Sequence, residues 1–172
     1  MQASLLRCFL ACFLLTNSVF VVHAQLYSPV REQTALDIVI DAASDVNVDE
    51  FERAAPIRVR LYELRLETSF EAADFLSLQT SDRNILSTDM LARDEFILRP
   101  GEKRYIRRKS HPDLGAIAVM AEFKDIAHSE WRAVEHIVAA PEVAWYRALI
   151  PATRLRLAVR LQQKGLEIVH LD

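Results

Sequence analysis

The sequence IRVRLYEL, residues 57–64, carries the pattern that decides the fold. Ile57, Val59 and Leu61 alternate with charged or larger side chains, and this period of two is typical of a β-strand with one buried face. At the end of the stretch the alternation shifts by one residue, so that the next apolar position is Leu64. Because a one-residue slip moves side chains to the opposite face, the shift predicts a bulge or bend near Tyr62.

Similar strand patterns recur along the chain. Residues 114–123 are almost entirely apolar, which predicts a central strand buried on both faces. Residues 154–161 alternate most clearly, and the turn at residues 162–165 leads into a terminal hairpin. The other strand-like stretches are residues 36–40, 96–98, 105–106, 131–138 and 166–171. About seven strands at regular spacing predict a mostly β fold, a two-sheet β-sandwich.

Residues 68–91 interrupt the strand pattern. Thr68 followed three residues later by Glu71 fits a capping box, with the threonine as N-cap and the glutamate reaching back to it. The apolar residues that follow continue as a short helix, and a further helical turn is expected around residues 84–91. The sandwich is therefore predicted to contain a short helical insertion.

The N-terminal residues have the features of a secretory signal peptide. Arg7 is the only charge before residue 31, and an apolar run extends from Phe9 to Val22. Ala24 supplies the small residue for cleavage before Gln25. The run is short for a membrane span, which needs about 20 apolar residues; an uncleaved anchor is the alternative. The predicted organisation is a signal peptide at residues 1–24, an N-terminal extension at 25–35 and a β-sandwich domain at 36–172.

Cleavage after Ala24 would remove both cysteines, Cys8 and Cys12. The remaining domain is long enough to fold without disulfides. The chain has 21 Lys and Arg against 24 Asp and Glu, a formal net charge of −3. Nucleic-acid-binding proteins normally have the opposite balance, so no nucleic-acid partner is expected.

The sequence contains no recognisable catalytic motif or metal-ligand set, and we predict neither enzyme activity nor a cofactor. Asp45, Asn47 and Asp49 match the first half of a calcium-binding loop. However, Glu50 occupies the position of the required glycine, and Pro56 that of the bidentate glutamate. We therefore interpret the segment as an acidic surface loop. Four histidines follow residue 24, and none is paired at a helical metal spacing: His111, His128, His136 and His170. Three of them lie in predicted strands or beside a turn, where a solvated or hydrogen-bonded histidine is expected.

Two basic stretches have two interpretations each. They are either solvated strand faces that block edge pairing or a docking surface for an acidic partner or for anionic lipid head groups. The residues are Arg104, Arg107, Arg108 and Lys109 in the first stretch and Arg154, Arg156 and Arg160 in the second.

The order of several short motifs resembles a known family. The motifs are Val59-Arg60-Leu61-Tyr62-Glu63-Leu64, Phe70-Glu71-Ala72-Ala73-Asp74-Phe75, Leu98-Arg99-Pro100-Gly101, Val119-Met120-Ala121-Glu122-Phe123 and Trp131-Arg132. In this order they are similar to the TssJ family, also called SciN or VasD, of bacterial type VI secretion systems. The resemblance spans residues 36–172.

The resemblance implies a sandwich of transthyretin-like topology and a structural role in the periplasm at the outer membrane. Family members bind the periplasmic C-terminal region of TssM in a membrane complex that includes TssL. They use the loop between the first two strands, which here is residues 42–55. Its candidate partner-binding residues are Asp45, Asn47, Asp49, Glu50, Phe51 and Glu52. The alternative function is a free periplasmic protein that binds a small ligand or acts as a chaperone.

Most members of that family carry a lipobox cysteine that becomes acylated. The single candidate here is Cys12, and cleavage before it would leave the apolar residues 13–22 at the mature terminus. Cleavage after Ala24 fits the sequence better. We therefore expect association with the outer membrane through a partner, or no association, rather than through a lipid.

Overall fold

The computed structural model describes residues 31–143 and 153–171. The predicted signal peptide and residues 25–30 of the predicted extension lie outside the described residues. Within the described ranges, every helix is too short or too polar to span a bilayer.

The described residues form eight strands arranged in two four-stranded sheets. The strands are β1 (Ala35–Ala42), β2 (Ile57–Leu64), β3 (Met90–Leu98), β4 (Lys103–Lys109), β5 (Ala116–Glu122), β6 (Arg132–His136), β7 (Arg154–Leu161) and β8 (Leu166–His170). Sheet I has the order β4-β1-β7-β8 and sheet II the order β3-β2-β5-β6. Strands β1 and β7 are parallel, and the other neighbours are antiparallel. This arrangement confirms the predicted mostly β, two-sheet sandwich.

The main core lies between the two sheets and follows the period-two patterns. Alternate residues of each strand point inward, so their side chains leave water together. Strand β5 lies between β2 and β6 and is buried on both faces, as predicted for a central strand. The large apolar side chains that β1, β2 and β7 contribute to this core are Leu36, Ile38, Ile40, Ile57, Val59, Leu61, Leu157, Val159 and Leu161.

A second core covers the outer face of sheet II. Helices α1 (Thr68–Ala72) and α2 (Phe75–Leu86) pack there, so that Tyr62 and Leu64 are fully buried on a face that would otherwise be solvated. This packing explains the shifted apolar phase of β2. The predicted bulge is present, since the pairing of β2 with β3 shifts between Glu63 and Leu64. It is not, however, the cause of the apolar pattern.

The predicted capping box at Thr68 is wrong. Helix α1 begins at Thr68 itself, Glu67 occupies the N-cap position, and no side chain caps the helix. The side-chain cap belongs to α2 instead, where Asp74 accepts a hydrogen bond of 2.9 Å from the backbone N–H of Ser77. The further helical turn expected at residues 84–91 is the end of α2, a 3₁₀ turn at Ser87–Asp89 and the start of β3.

A buried polar network fastens α2 to sheet II. The Arg60 side chain is 7% exposed, and its Nη1 donates hydrogen bonds of 3.0 Å to the carbonyl oxygens of Leu78 and Gln79. Asp82 of α2 accepts hydrogen bonds from the Tyr62 hydroxyl at 2.9 Å and from Nε of Arg93 at 2.7 Å. The network satisfies charges that burial would otherwise penalise, and it sets the position of the helix on the sheet.

Candidate partner-binding site

The loop between β1 and β2, residues 43–56, is only partly a surface loop. Val46 is fully buried, and Val48 and Ala55 are each 8% exposed. These side chains anchor the loop to the body of the domain, and Val46 belongs to the main core. The interpretation as an acidic surface loop therefore holds for the exposed acidic residues and is wrong for the apolar residues between them.

Asn47 lies inside the loop rather than on its surface. It is 3% exposed. Its Nδ2 donates to the Pro56 carbonyl oxygen at 2.8 Å, and its Oδ1 accepts from the Lys124 backbone N–H at 2.8 Å. Both polar atoms of the side chain are thus hydrogen-bonded to the protein's own backbone. These hydrogen bonds indicate that Asn47 positions the loop.

Asp49 organises the tip of the loop. Its Oδ1 accepts hydrogen bonds from the backbone N–H groups of Phe51 at 2.9 Å and Arg53 at 3.0 Å. Its Oδ2 lies 2.8 Å from Nη2 of Arg53. The hydrogen bonds from Arg53 lower the pKa of Asp49 to about 2. The carboxylate is therefore ionised at neutral pH and engaged within the loop.

Phe51 is displayed at the tip that Asp49 holds. The residue is 68% exposed, and the guanidinium of Arg53 lies over its ring, 5.1 Å from the centroid. A cation–π contact of this kind orients the ring while leaving its other face open. The remaining predicted contact residues are exposed carboxylates of the same loop: Asp45, Glu50 and Glu52.

Two further loops lie beside Phe51 and form an open groove with it. Lys124 and Asp125 come from the β5–β6 connection, and Gln163 and Lys164 come from the β7–β8 turn. Nζ of Lys164 is 3.3 Å from Oδ2 of Asp125, which joins the two loops. These residues could not be predicted from the sequence, because the turn residues of separate hairpins carry no local signal of being neighbours. Only the strand order brings them to the same end.

The calcium-loop resemblance does not correspond to a metal site in the described part of the chain. Asp45 is exposed, Asn47 is buried, and Asp49 is bound to Arg53. No group of three or more His, Cys, Asp or Glu residues in the described ranges is arranged to hold a metal ion.

All four of these histidines are hydrogen-bonded. Three ring nitrogens face carboxylates: His128 with Asp125 at 2.7 Å, His136 with Glu67 at 3.2 Å and His170 with Glu135 at 2.7 Å. Nδ1 of His111 accepts a hydrogen bond of 3.1 Å from the backbone N–H of Asp113. These contacts account for the histidines as surface polar residues.

Solved structures that are similar to this chain include the following three. The T6SS lipoprotein TssJ1 from Pseudomonas aeruginosa is 30% identical, with a TM-score of 0.70, over 82% of this chain and 98% of that chain. Serratia marcescens Lip, a membrane-bound component of the type VI secretion system, is 28% identical, with a TM-score of 0.65, over 81% and 99%. A chain in the structure described as the C-terminal domain of the T6SS protein TssM from EAEC is 26% identical, with a TM-score of 0.58, over 78% and 99%.

A family model also matches the chain, whereas no curated protein has a significant match to it. The model is T6SS-SciN, described as "Type VI secretion lipoprotein, VasD, EvfM, TssJ, VC_A0113", and it covers residues 34–164, which is most of the chain. These residues include seven of the eight strands of the described residues, all but β8, together with the helical insertion and the Phe51 loop. The chain therefore belongs to the T6SS-SciN family of type VI secretion lipoproteins.

Proposed function

We propose that this protein is a structural subunit of the type VI secretion membrane complex. It resides in the periplasm at the outer-membrane side, where it binds the periplasmic C-terminal region of TssM, and TssL belongs to the same complex. Family membership supports the role in type VI secretion. The similarity to a chain in the TssM C-terminal domain structure supports TssM as the partner.

The observation that carries the proposal is the rigid display of Phe51 on the loop at residues 43–56. The ring is 68% exposed while the backbone beneath it is held by Asp49. Exposed aromatic residues on a fixed backbone are efficient interface anchors, because they bury a large area at little cost in conformational entropy. The surrounding carboxylates of Asp45, Glu50 and Glu52 would orient the partner through complementary charge.

The predicted contact residues thus divide into two roles. Phe51, Asp45, Glu50 and Glu52 are proposed to touch the partner, because their side chains are exposed. The other two, Asn47 and Asp49, are proposed to position the loop, because their polar atoms are bound within it.

The Phe51→Ala variant tests this proposal by calorimetric titration with the periplasmic C-terminal region of TssM. We expect binding to weaken by about 2 kcal/mol, which is roughly 30-fold in Kd, because the anchor is lost while Asp49 and Arg53 keep the loop closed. Leu76→Ala is the matched control. Leu76 is 64% exposed but lies on helix α2, so its removal should leave Kd unchanged.

Circular dichroism of both variants tests whether they keep the β-rich fold, as expected for exposed positions. If a folded Phe51→Ala protein binds TssM as tightly as the wild type, the loop is not the recognition surface. If the wild-type protein shows no binding to TssM, the proposed partner is wrong.

A further inference from the structure

The outer face of sheet I carries rows of charged side chains. Strand pairing aligns Asp37 of β1 with Arg107 of β4 and Arg156 of β7, and aligns Ala35 with Lys109 and Arg154. Residues paired across neighbouring strands point to the same face of a sheet. The cations that this register places on the outer face are Lys103, Arg107, Lys109, Arg154, Arg156 and Arg160.

The face is positive although the chain as a whole is negative. Three carboxylates share the face with the six cations: Asp37, Asp41 and Glu167. Its formal charge is therefore +3, whereas the chain carries −3. A charge separation of this size attracts an anionic surface to one side of the molecule and repels it from the others.

Three of the cations are not neutralised within the described part of the chain. Lys103 pairs with Asp41 at 2.8 Å, Arg107 with Asp37 at 3.2 Å, and Arg160 with Glu167 at 3.5 Å. The described residues provide no carboxylate partner for Lys109, Arg154 and Arg156, which are exposed.

The rest of the first basic stretch has structural roles. Arg108 lies 2.7 Å from Oε1 of Glu63 and 2.6 Å from Oδ2 of Asp94, between the two sheets. Arg104 lies over the Phe96 ring, 5.1 Å from the centroid. Arg104 and Arg108 therefore have partners within the sandwich, although Arg104 is itself exposed.

The three unpaired cations lie at the end of the face where β1 begins. Lys109 and Arg154 both pair with Ala35, four residues after Arg31, where the described chain starts. The Phe51 loop follows the other end of β1, roughly 25 Å away at the rise per residue of a strand. An N-terminal segment held at a membrane would bring the cationic end of the domain to the bilayer and leave the Phe51 loop free.

From this placement we infer that the cationic face of sheet I binds the anionic phospholipid head groups of a bilayer. The inference rests on the proposed location at a membrane and adds a second contact with that membrane. A single acyl chain gives only marginal attachment, and stable anchoring commonly combines it with a basic patch. If the chain is not acylated, the cationic face would attach the domain to the bilayer in place of an acyl chain. An array of cations spread over three neighbouring strands suits a lipid surface better than a narrow peptide.

The test measures co-sedimentation of the exported, processed protein with vesicles of phosphatidylcholine alone or mixed with phosphatidylglycerol. We expect binding to the mixed vesicles that weakens as salt is raised, because exposed charges are screened. The Arg154→Gln/Arg156→Gln double variant should lower the partition coefficient on mixed vesicles about tenfold. The control, Arg83→Gln/Arg99→Gln, removes the same charge from exposed positions outside this face and should change it less than about twofold.

Equal losses in the two double variants would show that overall charge, rather than this face, determines binding, and would overturn the inference. Equal binding of the wild type to both kinds of vesicle would also overturn it, because attachment would then not depend on anionic lipid. Binding to an acidic protein without binding to the mixed vesicles would assign the face to a protein partner instead. Vesicle binding is measured without TssM, and TssM titration without vesicles, so that failure of one proposal is distinguishable from failure of the other.

Discussion

Asn47 holds the β1–β2 loop in place from its buried side. Its backbone has φ 52°, in the left-handed region that asparagine tolerates better than most residues other than glycine. Its side chain bonds the backbone of Pro56, at the end of the same loop, and of Lys124, in a different loop. One residue thereby joins the Phe51 loop to the β5–β6 connection.

The Asn47→Ala substitution should lower the free energy of unfolding by about 2 kcal/mol. The substitution removes two hydrogen bonds with buried or partly buried groups. It also leaves alanine, whose side chain cannot form hydrogen bonds, at a backbone position with a positive φ. Urea-induced unfolding followed by circular dichroism measures the change. Asp45→Ala in the same loop is the control, and a surface change of that kind should stay within about 0.5 kcal/mol. Equal stability of the two variants would show that Asn47 does not position the loop.

At the scale of the element, helix α2 is fixed to sheet II by charge as well as by apolar packing. Burial raises the pKa of Tyr62 to about 12, and the hydrogen bond with Asp82 adds to this effect. For Asp82, burial acts to raise the pKa, but hydrogen bonds from Arg93 and Tyr62 outweigh it and hold the pKa below its ordinary value. A carboxyl with a lowered pKa stabilises the fold above its unfolded pKa, and this contribution is lost as the pH falls through the folded value.

The Asp82→Ala substitution should destabilise the protein by about 2 kcal/mol. It removes the most buried carboxylate that contacts Arg60 and Arg93, and Glu95 and Glu122 remain as their partners. Tyr62→Phe is the matched comparison. It removes one hydrogen bond from the same network and keeps the ring, so it should cost about 1 kcal/mol. Chemical denaturation at neutral pH measures both changes. If the two variants lose the same stability, the carboxylate of Asp82 is not the centre of the network.

At the scale of the whole molecule, the sandwich separates two surfaces along strand β1. The Phe51 loop and the groove beside it lie at the end of β1, and the unpaired cations Lys109, Arg154 and Arg156 lie near its beginning. This separation would let the domain contact a membrane and a protein partner at the same time. The orientation of the domain at the membrane would then depend on how its N-terminal segment is attached there.

The exported protein should begin at Gln25, because the apolar run that ends at Val22 is followed by Ala24, a small residue suited to the cleavage site. Intact-mass analysis of the protein recovered from the periplasm measures this. Removal of residues 1–24 also removes Cys8 and Cys12, so the thermal unfolding midpoint should be indifferent to reductant. A species that begins at an acylated Cys12 would contradict this prediction and would establish lipid attachment.

The strands and their main core were predictable from the sequence because their pattern is local. A period of two at Leu36–Ile40, Ile57–Leu61 and Leu155–Leu161 requires one buried face, whatever sheet the strand joins. The prominence of Phe51 was predictable too, since a single aromatic among acidic residues in a long connection has few core neighbours. The ordered motifs supported the family, which the later comparisons established.

Tertiary structure alone decided which residues act together. The apolar phase of Tyr62 and Leu64 reflects helices that follow in the chain, and the burial of Asn47 depends on the backbone of Lys124. The groove beside Phe51 and the cationic face both combine residues from strands that are distant in sequence. Periodicity shows which side of a strand is buried, but strand order and register determine what covers each side, and these depend on contacts between distant parts of the chain.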